Sequence, residues 1–235
     1  NKKYPVLYLL DGDYLFDAFS GAVSYGAYWD DLPEMIIIGI HQNKDGERYE
    51  DCTIEQVSGL PDEKGAKFFE FIGAELIPYV EKNYRTSPFR MIAGHDTTAS
   101  FINFYLYKDD PLFKGYICLS PELAPKMEIR IPEKFAKVKE PFFYYLSAAD
   151  GDIKSIKEPI EKLDSNIKIA NNPLVNYKYD LFKNSTHYTE VLHSIPNALY
   201  QIFEVYKPIN SAEYKDKIAV LKSGYSDYLE NKYNV

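Results

Sequence analysis

Short, wholly apolar segments that alternate with longer helical patterns are the feature that most limits how this chain can fold. Residues 6–10 (VLYLL) and 35–40 (MIIIGI) are apolar without alternation, which is typical of strands covered on both faces. Residues 14–28 lie between them and have a helical pattern that is weakened by Gly21 and Gly26. Strands that alternate with helices in this way predict a mostly parallel central sheet flanked by helices, an α/β fold.

The same alternation continues to about residue 206. Further strands are predicted at 89–94, 114–120, 141–148 and 174–182, and helices at 62–84, 97–108, 153–163 and 194–206. Asp62 is the expected cap of its helix, which should kink at Pro78, and the helix at 153–163 should break near Pro159.

One domain is predicted for residues 1–208, followed by a C-terminal helical extension at 209–235 with amphipathic spacing. Residues 41–60 are polar and irregular, and this loop is long enough to suggest a function. The chain starts at Asn1, only a few residues before a strand, so we expect N-terminal strands of the sheet to lie outside this sequence.

The charge and cysteine content exclude several classes of function. The formal net charge is -8 and no local basic patch is present, which argues against nucleic acid as a partner. The apolar runs are far too short to cross a bilayer. Cys118 lies in a predicted strand and Cys52 in a polar loop, so both are expected to be free thiols.

The segment RMIAGHDTTASF, residues 90–101, places Asp96 between a strand and a helix. Many hydrolases present a nucleophilic residue in such a tight turn, which is called a nucleophile elbow. The turn forces positive φ on its central residue, and aspartate tolerates this better than β-branched residues do. The following helix would keep the carboxylate ionised. Thr98 occupies the place, two residues later, where glycine is usual.

Chain order supplies candidate partners for Asp96. Hydrolases of this plan carry the acid after a later strand and the histidine after the last strand. Asp150 and Asp152 follow the strand at 141–148, and His187 follows the strand at 174–182. The alternative is an ordinary turn at the two aspartates and a helix cap at His187; order and spacing favour positions derived from a catalytic triad. The other histidines are interpreted as structural.

Several blocks in order resemble the putative-esterase family of α/β-hydrolases, which contains esterase D and the enterobactin esterases. The similarity runs from about Tyr4 to Tyr206, and its strongest blocks are YPVLYLLDGDYLF, LPEMIIIGI, FFEFIGAELIPYVEKNYRTSPFRMIAGH, PLFKGYICLSPEL and STHYTEV. The resemblance implies an α/β-hydrolase fold without a large lid domain, no cofactor, and, in active relatives, hydrolysis of carboxylic esters including siderophore esters. It also favours the periplasm or cell envelope of a Gram-negative bacterium.

Carried over by position, the resemblance assigns catalytic roles to individual residues. The family's serine falls on Asp96, its histidine on His187, and its acid on Asp150, with Asp152 as the alternative. The oxyanion donors would be the backbone N–H of Thr97 and one from the segment Asp13–Tyr14. The family motif Gly-His-Ser-x-Gly keeps its first two residues here and loses the other two.

An aspartate at the elbow changes the chemistry that is available. Its attack on an ester would give a mixed anhydride that tends to revert, so the leading hypothesis is a scaffold that no longer hydrolyses esters and binds a small, ester-like ligand or a protein partner. One alternative is attack by Asp96 on an epoxide or alkyl halide, although about twenty residues between two strands leave no room for a lid domain. Two further alternatives are residual ester hydrolysis and the binding of a divalent cation by Asp96, His187 and Asp150.

Overall fold

The computed structural model describes residues 2–42 and 46–206. Six parallel strands form the main sheet in the order β2-β1-β5-β6-β7-β8, and β3 and β4 form a small antiparallel pair. The strands are β1 (Tyr4–Leu9), β2 (Ile36–Gly39), β3 (Ile54–Glu55), β4 (Leu60–Pro61), β5 (Thr86–His95), β6 (Gly115–Leu119), β7 (Phe142–Ala149) and β8 (Val175–Phe182).

Helices connect the strands of the main sheet and cover both of its faces. They are α1 (Gly12–Tyr28), α2 (Glu47–Asp51), α3 (Glu63–Glu70), α4 (Ile77–Asn83), α5 (Thr97–Phe101), α6 (Met127–Phe135), α7 (Lys154–Ala170) and α8 (Glu190–Ile202). A π-helical turn at Phe71–Leu76 joins α3 to α4, and short 3-10 turns follow α5 and α8 at Ile102–Tyr107 and Glu204–Tyr206.

The sheet separates two apolar cores, as a sheet covered on both faces should. On β1, Val6 and Tyr8 point into one core and Leu7 and Leu9 into the other. Residues of α1 and α8 fill the second core, whereas α3 to α7 fill the first. The predicted α/β class with a mostly parallel central sheet is therefore confirmed. In the described part of the chain only α6 and its flanking loops lie between β6 and β7.

The helix break predicted at Pro159 is wrong. The helix α7 continues through Pro159 to Ala170, and a Pro in a helix interior costs one backbone hydrogen bond without always ending the helix. The kink predicted at Pro78 stays a prediction. A π turn at Phe71–Leu76 precedes this proline, and the Ile77 N–H bonds the Ile72 carbonyl there. Pro78 then lies in the first turn of α4, where its missing N–H is tolerated. The Asp62 cap is confirmed, because its side chain accepts from the Lys64 and Gly65 N–H groups.

The described residues of the loop predicted at 41–60, which are 41–42 and 46–60, are more ordered than their composition indicates. They contain α2 and the β3 strand, and α2 delivers the buried side chain of Arg48 to the carboxyl edge of the sheet. Cys52 and Cys118 are both buried and free, as predicted. None of the helices in the described ranges is long and apolar enough to cross a membrane. The extension predicted at 209–235 lies outside the described residues, and the boundary at 208 stays a prediction.

Candidate functional site

The carboxyl ends of three parallel strands bring Asp96, Asp152 and His187 together. Asp96 follows β5, Asp152 follows β7, and His187 lies in the loop after β8. In open α/β sheets this edge is where ligands bind. We refer to these three residues and Arg48 as the Asp96 site.

The backbone at Asp96 has the sharp bend that the sequence predicts. Its φ is 60° and its ψ is -119°, a conformation that few non-glycine residues adopt. The Asp96 N–H donates to the Leu119 carbonyl at 3.0 Å, and the Asp96 carbonyl accepts from the N–H groups of Ser100 and Glu122. These bonds fix the bend on both sides, so the carboxylate is presented at the beginning of α5 with 24% of its side chain exposed.

His187 lies between two carboxylates. Its Nδ1 is 2.7 Å from Asp152 Oδ1, and its Nε2 is 3.5 Å from Asp96 Oδ1. Hydrogen bonds to Asp152 and then to Asp96 outweigh burial and raise the pKa of His187 to about 9. Both ring nitrogens therefore carry protons at neutral pH, and each faces an acceptor.

Asp152, not Asp150, is the acid in contact with His187. The second oxygen of Asp152 accepts from the Ser120 hydroxyl at 2.6 Å and the Ala149 N–H at 2.7 Å. Burial opposes the ionisation of Asp152, but the bonds from His187 and Ser120 lower its pKa overall. Asp150, the first choice from sequence, instead accepts from the backbone N–H groups of Asn184 and Ser185. Asp150 thus tethers the loop after β8 and does not orient the imidazole.

The Asp96 carboxylate is held as an anion. Burial raises its pKa, but hydrogen bonds from His187 and from the Thr97 N–H, together with the charges of His187 and Arg48, lower it to about 2. The Thr97 hydroxyl donates to Asp96 Oδ2 at 3.2 Å, and Arg48 Nη1 lies 3.6 Å from the same oxygen. Each carboxylate oxygen thus faces a cation or a donor.

The buried ion pair of Arg48 and Asp11 supports the backbone next to the bend at Asp96. Arg48 Nε is 2.5 Å from Asp11 Oδ1, and Arg48 Nη2 donates to the His95 carbonyl at 2.9 Å. The hydroxyl of Thr98 donates to Asp11 Oδ2 at 2.5 Å and accepts from the His95 N–H at 2.9 Å. Thr98 fits at this position because Gly94 leaves room for it: a Cβ on Gly94 would lie 2.6 Å from the Thr98 hydroxyl.

The predicted oxyanion donors already have partners. The Thr97 N–H bonds the Asp96 carboxylate. Asp13 and Tyr14 lie in the first turn of α1 and not in a loop, and the Tyr14 N–H donates to the Asp11 carbonyl at 3.2 Å. The Asp13 carboxylate accepts from the Gln42 N–H at 3.0 Å and contacts the His41 ring. Tyr14 therefore contributes its phenol to this edge and not its N–H.

Tyr14 and His95 hold the backbone at His187. The Tyr14 hydroxyl lies 3.0 Å from His95 Nδ1, and His95 Nε2 lies 3.1 Å from the His187 carbonyl. A neutral His95 satisfies both contacts, accepting at Nδ1 and donating at Nε2. Burial and the nearby His187 lower the pKa of His95 to about 4, which keeps it neutral.

The hydroxyl groups of Thr97 and Ser100 in the elbow region are engaged away from His187. The Thr97 hydroxyl bonds Asp96, and the Ser100 hydroxyl contacts Met127 Sδ and accepts from the Ala124 N–H. Within the described ranges, no group of three or more His, Cys, Asp or Glu side chains is arranged to hold a metal ion. The arrangement is an aspartate, an imidazolium and a second aspartate in line.

A cavity of about 570 Å³ lies elsewhere on the molecule. It is near the last turn of α1 and the start of β2, at the opposite edge of the sheet from the Asp96 site. Its lining residues are Lys2, Val23, Ser24, Ala27, Tyr28, Asp30, Leu32, Glu34, Met35 and Tyr206. None of them belongs to the Asp96 site, so the chemistry of the strand ends, and not the size of this cavity, identifies the candidate site.

Residues 1–191 match the family model described as putative esterase. The chain belongs to the putative esterase family. No curated protein matches the chain significantly. Membership of this family agrees with the α/β-hydrolase fold that the sheet order and the elbow display.

Solved structures agree with this fold. An uncharacterised protein from Capnocytophaga ochracea is 29% identical with a TM-score of 0.85; the alignment covers 99% of this chain but only 64% of that protein. An IroE-like serine hydrolase from Shewanella oneidensis is 21% identical with a TM-score of 0.73, and the alignment covers 98% of this chain and 83% of that protein. The siderophore hydrolase EstA from Aspergillus nidulans is 16% identical with a TM-score of 0.70, and the alignment covers 87% of this chain and 84% of that protein.

Sequence reasoning missed several residues of the site. Arg48 lies in a loop that was suspected of function, but an arginine in a polar segment gives no signal of burial. Asp11 directly follows the apolar run at residues 6–10, and its left-handed φ of 58° and full burial become evident only in the structure. Ser120, which holds Asp152, has no motif of its own.

Proposed function

We propose that this member of the putative esterase family has lost ester hydrolysis and uses the Asp96 site to bind a ligand. The observation that carries the proposal is the position of His187 between Asp96 and Asp152, at 3.5 and 2.7 Å. A serine esterase needs a neutral histidine to accept the proton of its nucleophile. An imidazolium between two carboxylates has no free nitrogen to accept one.

The carboxylate of Asp96 supports the same conclusion. An anion with a pKa of about 2 is a poor nucleophile, and Asp96 is further engaged by Thr97 and Arg48. Attack on an ester would form an anhydride whose carboxylate leaves more readily than the alkoxide. The acyl group would therefore return to the alcohol and no net hydrolysis would follow.

A panel of aryl and alkyl esters tests the proposal. We expect the wild-type protein and the Asp96→Ala variant to show the same rate, equal to the rate of the buffer. The Asp150→Ala variant is the matched control, because it removes a carboxylate that does not contact His187. Turnover by the wild type that disappears in Asp96→Ala and survives in Asp150→Ala would defeat the proposal.

The second candidate is a hydrolase that uses Asp96 to attack a saturated carbon, as in epoxide or haloalkane hydrolysis. The observation in its favour is the Asp96–His187–Asp152 line itself, because alkylation would neutralise Asp96 and lower the pKa of His187, which could then activate water. Intact mass of the His187→Ala variant after incubation with epoxides and alkyl halides tests it. A trapped alkyl ester on Asp96 supports this candidate, and an unmodified mass rules it out.

The compartment is a separate question. A periplasmic or cell-envelope location stays a prediction that rests on the resemblance to exported relatives. The proposal includes two classes of bound molecule, a small, ester-like ligand and a protein partner.

A further inference from the structure

Two exposed tyrosine rings flank the Asp96 site. The Tyr188 ring is 76% exposed and meets the His187 ring edge to face, with centroids 5.2 Å apart. The Tyr14 ring is 45% exposed and lies in the same relation to His95 at 5.9 Å, while the two histidine rings are 4.5 Å apart. The four rings therefore form a continuous aromatic row, and the His187 ring in this row lies 3.5 Å from the Asp96 carboxylate.

The charges of the site do not balance. Asp11, Arg48, Asp96, His187 and Asp152 form one chain of contacts, in which three carboxylates face two cations. The side chains of Asp11 and Asp152 are fully buried, and only Asp96 exposes a substantial part of its carboxylate. The surplus negative charge is therefore nearest to solvent at Asp96.

The cations cannot reverse this charge at the surface. Arg48 is 8% exposed at its side chain and is committed to Asp11 by two hydrogen bonds, and His187 is 17% exposed at its side chain and is committed to Asp152 at 2.7 Å. A ligand that approaches the site meets the exposed part of the Asp96 carboxylate and the exposed rings of Tyr14 and Tyr188. The faces of aromatic rings attract cations, and a neighbouring carboxylate adds a counter-charge.

We propose that the Asp96 site binds an organic cation, a quaternary ammonium group being the chemistry that aromatic rings and one carboxylate recognise best. This inference rests on the proposed binding function and names the ligand class of the same site. An anionic ligand would be repelled by Asp96, and a neutral one would gain only apolar contact with Tyr14 and Tyr188.

Calorimetric titration of the wild-type protein with choline tests the inference. The neutral isostere 3,3-dimethyl-1-butanol and the anionic 3,3-dimethylbutyrate have the same branched shape without the positive charge. We expect choline to bind at least about tenfold more tightly than the neutral isostere, and the anion not to bind. Equal affinity for choline and its isostere, tighter binding of the anion, or no choline binding at about 10 mM would overturn the inference.

Matched variants locate the binding. Tyr188→Ala and Asp96→Asn should each weaken choline binding by at least about fivefold. Tyr28→Ala is the control, since the Tyr28 ring is 77% exposed at the other end of α1 and should leave the affinity unchanged. Choline affinity that is equal in wild type and Tyr188→Ala would also overturn the inference.

The ester assay separates this inference from the proposal on which it rests. Ester turnover that depends on Asp96 would defeat the loss of catalysis, whatever choline does. Absent turnover combined with equal affinity for choline and its isostere would defeat the ligand class alone.

Discussion

The Asp96→Ser variant should gain ester hydrolysis, because it restores an alcohol and removes one of the two carboxylates that keep His187 protonated. With a pKa of about 9, about 3% of the His187 side chain is neutral at pH 7.5. Asp152, the larger cause of the raised pKa, stays in the variant, so the ordinary value of 6.5 is the lower limit of the new pKa and about 90% neutral is the upper limit. The fraction able to act as a base would therefore rise, by at most about thirtyfold.

The new alcohol would also find the rest of a triad in place. Asp152 already orients His187 at 2.7 Å, and the Thr97 N–H, which now bonds the Asp96 carboxylate, would become free to stabilise an oxyanion. General base catalysis contributes about 10²- to 10⁴-fold. We expect p-nitrophenyl acetate hydrolysis by Asp96→Ser to exceed the wild-type rate by at least about 100-fold.

The assay needs one further variant. Adding His187→Gln to Asp96→Ser should return the rate to the wild-type level, because the base is removed while the alcohol stays. A folded Asp96→Ser protein with no gain would refute the reasoning that Asp96 alone prevents acyl transfer. The engaged N–H of Tyr14 would then be the first place to look for a missing oxyanion donor.

Two further predictions concern stability. Thr98→Val should lower the free energy of unfolding in urea by about 1–3 kcal/mol, because the buried Asp11 carboxylate loses a hydrogen-bond donor at 2.5 Å. Thr98→Ser keeps the hydroxyl and should be close to wild type. Equal unfolding midpoints for all three proteins would contradict this prediction. The raised pKa of His187 stabilises the folded state, and this contribution is complete below pH 6.5 and is lost as pH rises through about 9. The free energy of unfolding should fall by up to about 3 kcal/mol over this range. Asp152→Asn should reduce this fall, and Asp150→Asn should preserve it.

The fold could be predicted because its signal lies within short segments. Wholly apolar runs such as residues 6–10 are buried most readily as strands of a sheet that is covered on both faces. Chain order then sets the positions of the later elements. The bend at Asp96 was predictable for the same reason, since a strand, a tight turn and a helix follow each other directly.

The contacts of the site were less predictable, because they depend on how separate loops meet. Asp150 and Asp152 are two residues apart, and only the position of the loop after β8 decides which carboxylate reaches His187. Arg48 comes from a short helix in a polar segment, and its burial depends on pairing with Asp11, 37 residues earlier in the chain. Neither pairing leaves a pattern in the sequence.

The protonation state of His187 is the most direct test of the central claim, and NMR titration of the imidazole nitrogens measures it. The account predicts an imidazolium at pH 7.5 with a midpoint of about 9, while His95, whose ring lies 4.5 Å away, stays neutral down to a midpoint of about 4. The His187→Gln variant assigns the signal. A His187 midpoint below 7 would show that the two carboxylates leave a usable base in place, and the claim that the site cannot carry out acyl transfer would be contradicted.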